Sequence, residues 1–310
     1  MSARIRRSWL VVPMSKPEEI ARASRSTADV IVLDLVEFVA EEDKPAARER
    51  VEAAIRTAQA GGAEVFAQVD PELLVADLHA CAWPGLTGVI VSRLESAQQV
   101  ADVDGLLAEL EAKRGILPGT LEIVAALETA RGNHDAYDIG RASPRIRALT
   151  LGRADLIMDL RPEPSGEIHL MPYLMQRLIA VARALGATGI GAWWQAPARG
   201  LLAGPDDTYQ AARRGRAIGF TGSPCIDVRQ VEPLNQGFTP DAAEVAAGQE
   251  LMTAYRTAVA RGVAVVELGD RLVDRGSVTQ AQALLDRAAA CAARDREKAE
   301  MTARPPLARP

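Results

Sequence analysis

The sequence predicts an α/β fold, a (β/α)8 TIM barrel with a C-terminal helical extension, on three observations. Short apolar runs alternate with amphipathic segments from Ser8 to Ile226, a pattern that calls for parallel strands joined by helical crossovers. Eight such runs can be counted, the number that closes a barrel. Two of them close on acids, Glu128 in AALETARG and Asp155 in LTLGRADL. In a barrel of parallel strands, side chains at the C-terminal strand ends converge on one mouth. An open doubly wound sheet is the alternative that strand counting leaves open.

In chain order, SWLVVP reads as a strand and KPEEIARAS as a helix. DVIVLDL is a strand, and KPAARERVEAAIRTAQAGG a helix that stops at glycine. AEVFAQV is followed by the helix PELLVADLHACA, and LTGVIVSR by ESAQQVADVDGLLAELEAKRG. TLEIVAALE is a strand followed by a short segment, RGNHDAYDIG. RIRALTLG is a strand, then a loop leads to the helix MPYLMQRLIAVARALG. TGIGAW is a weak strand, DDTYQAARRGRAIG a helix and TGSPCI a short last strand. The barrel domain is therefore assigned to residues 1–230. Beyond it the pattern changes to a helical extension over 231–302, in which PLNQGFTP carries turn signals and Thr239 or Asp241 is a candidate N-cap. DAAEVAAGQELMTAYRTAVARG is a long helix, VAVVELGDRLVD a short hairpin, and SVTQAQALLDRAAACAARDREKAE a second helix with Ser277 as a possible cap. The Pro-rich end, 303–310, reads as a disordered tail.

The chain has 310 residues, 48% of them hydrophobic, enough for one large barrel core. Its net charge of -5 and the lack of a basic stripe argue against a nucleic-acid partner. The cations of AARRGRAIG have the spacing of a solvated helix face. The start, MSARIRRSWLVVPM, resembles a signal peptide, but its apolar run is short and ends at Pro13, so a buried first strand is the better reading. No stretch approaches a membrane span. Three widely separated cysteines, Cys81, Cys225 and Cys291, imply reduced thiols and a cytoplasmic setting. His79, His134 and His169 lack zinc-ligand spacing. His79 falls in a helix, and His134 on the loop after Glu128 reads as a surface residue within reach of the site.

GATGIGAW is not a dinucleotide fingerprint, and there is no Walker pattern and no G-x-S-x-G. The acids remain. Two carboxylates at a barrel mouth, with water and substrate oxygens completing the shell, suit octahedral Mg²⁺. The same acids also suit structural roles, with Asp155 capping the next turn and Glu128 pairing with Arg131. Trp193 and Trp194 either stack on a ligand or plug a barrel end.

RRSWLVVP, DVIVLDLVEFVAEEDKPAAR, AALETARG, LTLGRADLIMDL and GFTGSPCIDVRQ, in that order, resemble the citrate lyase beta-chain and malyl-CoA lyase (HpcH/HpaI aldolase) family, in which this chain would be a divergent member. The resemblance spans nearly the whole chain. It implies a (β/α)8 barrel, assembled as a homotrimer or hexamer, whose tail reaches a neighbouring subunit. The implied activity is Mg²⁺-dependent cleavage or formation of a carbon–carbon bond in a β-hydroxy acid or acyl-CoA-type substrate, so that the partners are small keto or hydroxy acids or acyl thioesters. By the same resemblance Glu128 and Asp155 are the metal ligands, and Asp34 is the first acid of a DLED stretch near the metal waters. Asp274 is a tail aspartate that handles a proton in a neighbour's site, its pKa raised on burial, while Arg7, Lys16 and Lys44 contact coenzyme A phosphates.

Several positions depart from the family pattern, and they cluster. DLED reads Asp34-Leu35-Val36-Glu37, and VRIN reads AQVD, so that a carboxylate-clamping arginine becomes Gln68. An amide cannot replace a bidentate charged contact. Gln68 is then a packing residue or a neutral donor to substrate, and Glu37 lines the substrate half of the pocket. PK reads Ser92-Arg93, with Arg93 placed to return the missing positive charge at the reacting centre. GK reads Gly222-Ser223, and IHP reads Ile226-Asp227-Val228. The expected pocket keeps its metal half and has an altered substrate half. A thioester hydrolase or condensing enzyme, or a non-catalytic barrel subunit, are the alternatives.

Overall fold

The computed structural model describes residues 4–161, 163–195, 203–269 and 271–303. The barrel elements are β1 (Ser8–Pro13), α1 (Pro17–Ala23), β2 (Val30–Asp34), α2 (Lys44–Glu49), α3 (Val51–Ala58), β3 (Glu64–Val69), α4 (Leu74–Cys81), β4 (Gly88–Val91), α5 (Ala97–Arg114) and β5 (Glu122–Ala126). They continue with α6 (Ala130–His134), α7 (Ala136–Arg141), β6 (Ile146–Thr150), α8 (Arg153–Leu160), α9 (Pro164–Ala184), β7 (Thr188–Ile190), α10 (Pro205–Ile218), β8 (Ser223–Cys225) and α11 (Val231–Phe238). The extension holds α12 (Ala242–Ala260), β9 (Val266–Leu268), β10 (Arg271–Val273) and α13 (Arg275–Ala303).

The eight barrel strands are all parallel to their neighbours, in the order β7-β6-β5-β4-β3-β2-β1-β8. Two backbone bonds bring the ends of this sheet together: Gly191 N–H donates to Gly222 O at 2.7 Å and Thr221 N–H to Gly189 O at 3.0 Å. The open-sheet alternative is therefore excluded. Gly222 is needed where it sits, because a Cβ there would collide with the Arg6 carbonyl.

Strand alternation sorts the core into two layers. Trp9, Val30, Val32, Phe66, Val124, Ala148 and Ile190 fill the barrel interior, where the Trp9 and Phe66 rings lie 4.9 Å apart. Beneath them Arg6 pairs with Glu64 and Glu122, and its guanidinium lies over both rings, so the barrel floor is plugged. Leu10, Ile31, Leu33, Val65 and Ile123 face outward under the helices. The same period of two that buries Val30 and Val32 delivers Asp34 to the mouth from β2, and Gln68 follows Phe66 there on β3.

Several elements differ from the sequence expectation. The long helix after β2 is interrupted at Arg50, between α2 and α3. RGNHDAYDIG forms two short helices, α6 and α7, and α8 follows β6 where a loop is expected. α11 also forms where turn signals stand, because it buries Val231, Leu234 and Phe238 against the barrel. Asp241 caps α12 in a capping box with Glu244, and α13 is capped by Asp274 rather than Ser277, whose N–H donates to the Asp274 carboxylate at 2.8 Å. The cations of AARRGRAIG are not simply solvated: Arg216 pairs with Glu244, and Arg214 donates to the Trp193 carbonyl. The last residues, 304–310, lie outside the described residues.

α13 crosses the N-terminal end of the barrel. Arg294 donates to the Gly62 carbonyl, Lys298 pairs with Asp29, and Asp295 pairs with Arg7. At 1.5 Å per residue the helix is about 43 Å long, and its other end packs with α12 and the β9–β10 hairpin around Leu251, Met252, Val273 and Ala281. No helix among the described residues is long and apolar enough to cross a membrane.

Candidate metal and substrate site

Glu128 follows β5 by two residues and is buried, with 5% of its surface exposed. One of its carboxylate oxygens accepts the Arg93 N–H at 2.9 Å. Arg93 lies just past β4 in the left-handed region, φ 48°, which costs a non-glycine residue about 1 kcal/mol. That backbone turn aims its N–H at Glu128. Its guanidinium instead pairs with Asp70 at 3.2 Å. Arg93 serves the site through its backbone N–H, and its guanidinium, though paired with Asp70, also draws the Glu37 and Glu128 carboxyls down through its charge.

Asp155 is not on a strand end. β6 stops at Thr150 and the chain turns at once into α8, so Asp155 sits in that helix's first turn, where an acid complements the helix dipole. Gly152, the N-cap of α8, lies against Glu128: a Cβ there would come within 2.5 Å of Glu128 Oε1 and 2.7 Å of its Cδ. Gly152→Ala is therefore expected to displace the Glu128 carboxylate from the Arg93 N–H. Mg²⁺ affinity should fall about tenfold or more with little change in melting temperature. Calorimetric titration beside a thermal melt checks this, and unchanged affinity would show that Glu128 moves freely.

The third acid comes from the loop after β2. The Asp34 carboxylate accepts the N–H groups of Val36 at 3.1 Å, Glu37 at 3.3 Å and Phe38 at 2.7 Å. At the mouth it shapes its own loop through these three bonds. Gln68 Nε2 donates to Glu37 Oε1 at 3.3 Å and to Ser92 Oγ at 3.0 Å. Gln68 is thus neither plain packing nor a free donor to substrate.

The result is one carboxylate oxygen from each of Glu37, Glu128 and Asp155, all within 4.8 Å of one another. Burial, together with the charges of Glu37 and Asp155, pushes the Glu128 carboxyl up to about 7 against the pull of the Arg93 N–H. Burial and the charges of Asp34 and Asp155 raise Glu37 as well. Three carboxylates this close need protons or a cation to share the space. Hard oxygen donors with one open side fit Mg²⁺, and they fit no soft metal.

The remaining candidates fall elsewhere. Arg7 does not line the mouth: it precedes β1 at the opposite end of the barrel, is 1% exposed, and is bound by Asp29 and Asp295. The sequence motif places it near a strand but does not show which end. Lys44 follows the β2 loop, is buried, and pairs with Glu41. Lys16 follows β1, is half exposed, and pairs with Glu19. Asp274 is exposed, and the Ser277 N–H and hydroxyl hold its carboxyl below the usual range. Asp227 caps the turn after β8 and pairs with Arg229, and Ser223 is buried. Trp193 packs against the helix-side core. His134 pairs with Asp135 on the surface, and His79 is also exposed. The His169 side chain lies outside the described residues. Sequence reasoning missed Gly152 and the proximity of Glu37 to the acids. The LGRAD glycine was a signal for the first, but nothing local signals the second.

A barrel of eight parallel strands with three converging carboxylates at its C-terminal mouth defines a divalent-metal (β/α)8 protein. The family model described as HpcH/HpaI aldolase/citrate lyase matches residues 7–228, and the chain belongs to that family. The chain is 30% identical to the L-malyl-CoA/beta-methylmalyl-CoA lyase of Cereibacter sphaeroides, with 92% of this chain and 95% of that protein covered. It is 26% identical to the citrate lyase subunit beta of Leuconostoc mesenteroides, with 91% and 93% covered. Among solved structures, the protein CitE of Mycobacterium tuberculosis in complex with magnesium, acetoacetate and coenzyme A aligns with a TM-score of 0.70 at 26% identity, over 93% of this chain and 100% of that one.

Proposed function

We propose that this protein is a Mg²⁺-dependent carbon–carbon lyase of the aldolase type, cleaving or forming a bond in a β-hydroxy acid or acyl-CoA-type substrate. The carrying observation is the trio of carboxylate oxygens at the mouth of a barrel from this family. Glu128 and Asp155 hold the ion, and Glu128 is fixed by the Arg93 N–H. The bound ion supplies Lewis-acid polarisation of a substrate carbonyl. Asp34 sets the β2 loop, and Gln68 ties Glu37 to Ser92. Because Gln68 is engaged with protein groups and Arg93 with Asp70, the substrate half of the pocket differs from one built to clamp a second carboxylate.

The chain assembles as a cytoplasmic homotrimer or hexamer, with the 231–302 extension reaching a neighbouring copy. Support comes from the exposed apolar side chains near the hairpin, Val263, Val265 and Leu272, which leave the far end of the extension uncovered. Asp274 beside them then moves the proton at the substrate carbon where the bond changes. Lys16, exposed beyond β1, is the remaining candidate for a coenzyme A phosphate.

Mixing inactive Glu128→Gln and Asp274→Asn proteins after subunit exchange should restore part of the activity, since one mixed mouth has both acids intact. No recovery in demonstrably mixed oligomers would place both acids on one chain. Lyase assays on short keto acids with acetyl thioesters test the reaction class. Thioester hydrolysis without a carbon–carbon bond change would favour the hydrolase alternative.

A further inference from the structure

We infer that Glu37 ligates the divalent ion directly, as a third carboxylate beside Glu128 and Asp155, and that Gln68 is its positioning residue. The inference rests on the metal-site reading above. Glu37 does not arrive at the cluster by chance orientation of a loose loop. Three N–H groups on the Asp34 carboxylate wrap residues 34–38 into a turn, and that turn presents the Glu37 side chain toward Glu128 and Asp155. At the far end of the side chain, the Gln68 amide holds Glu37 Oε1 at 3.3 Å. The amide is itself held by Ser92 Oγ at 3.0 Å.

The chemistry of the holder matters. A neutral amide spends one hydrogen bond on one oxygen and leaves the carboxylate charge and its other lone pairs for an ion. A guanidinium at position 68 would form a bidentate ion pair and compete with a metal for the same carboxylate. The pairing of Glu37 with Gln68 is therefore suited to a carboxylate that binds a cation and not one that is already neutralised by protein. Three protein carboxylates leave three positions of an octahedral ion for water and substrate. They also bind the ion more tightly before substrate arrives, since ligand charge count sets affinity for hard cations.

The test uses the full-length protein at pH 8. Mg²⁺ binding is measured by calorimetry, and water-proton relaxation counts the exchangeable waters on bound Mn²⁺, for wild type, Glu37→Ala, Gln68→Leu and Glu128→Ala. Glu37→Ala is expected to weaken Mg²⁺ about tenfold or more and to add one exchangeable water. Gln68→Leu should weaken it a few-fold with no change in water number, because the ligand stays but is no longer held. Glu37 lies on the rim, so Glu37→Ala should melt as wild type does. Affinity within twofold of wild type and an unchanged water number in Glu37→Ala, with binding lost in Glu128→Ala, would overturn the role of Glu37 and leave the metal site standing. Unchanged binding in Glu128→Ala would overturn the metal-site reading itself.

Discussion

Glu128→Ala is expected to lose Mg²⁺ binding and to lower kcat/KM on the order of 10³-fold, equivalent to about 4 kcal/mol of transition-state stabilisation. The same residue makes stability depend on pH. Its folded-state value of about 7 lies above the ordinary 4.5. It therefore contributes stability below pH 4.5 that is lost as pH rises through 7. Metal-free protein should be less stable at pH 8 than at pH 5 by up to about 3 kcal/mol from this group. Glu128→Gln removes the titrating charge and should flatten that part of the profile. Mg²⁺ binds the folded state and should restore the wild-type stability at pH 8 but leave Glu128→Gln unmoved. Proton competition should also weaken Mg²⁺ binding by up to about tenfold per pH unit below 7. Urea midpoints at the two pH values, with and without Mg²⁺, check all of this. An identical pH profile in wild type and Glu128→Gln would show that the carboxylate is not destabilised by burial.

Asp29→Ala should be the most damaging change to folding, at about 3–5 kcal/mol. Asp29 is fully buried and accepts the Arg7 N–H and Nε, both at 2.8 Å, and Lys298 Nζ, also at 2.8 Å. Burial alone would raise its carboxyl, but the Arg7 hydrogen bonds and the charges of Arg7 and Lys298 outweigh that and hold it below the usual range. This cluster contributes stability above the ordinary carboxylate range that is lost as pH falls through its lowered value. Removing Asp29 leaves two buried cations under the barrel and frees the end of α13 that they anchor. Urea unfolding and limited proteolysis of the extension measure the two effects. A loss below about 1 kcal/mol would mean that Asp295 and water replace Asp29 without penalty.

The strands were the most legible part of the chain. VIVLD, EVFAQV and EIVAA are β-branched or apolar runs whose burial on both faces leaves no other use for them. Glu128 was legible for a related reason, since it closes the run of β5, whereas Asp155 was read as a strand-end acid and stands in the first turn of α8. The helices at α8 and α11 were hidden, because each depends on what it packs against more than on local capping or periodicity. Arg7 was misjudged in the same manner. Its charge pointed to a ligand, but its guanidinium is buried on Asp29 at the opposite end of the barrel.

The sequence by itself determined the strand count and the alternation that makes the barrel parallel, and it marked Glu128 just past the fifth strand. These follow from local periodicity and short-range order along the chain. Only the tertiary structure decided that Glu37 meets Glu128 and Asp155 across about ninety residues or more of sequence, that Gln68 holds a carboxylate rather than a substrate, and that α13 is anchored beneath the barrel. Those choices depend on which side chains barrel closure brings together, and pairings between distant strand ends leave no mark on the residues next to them.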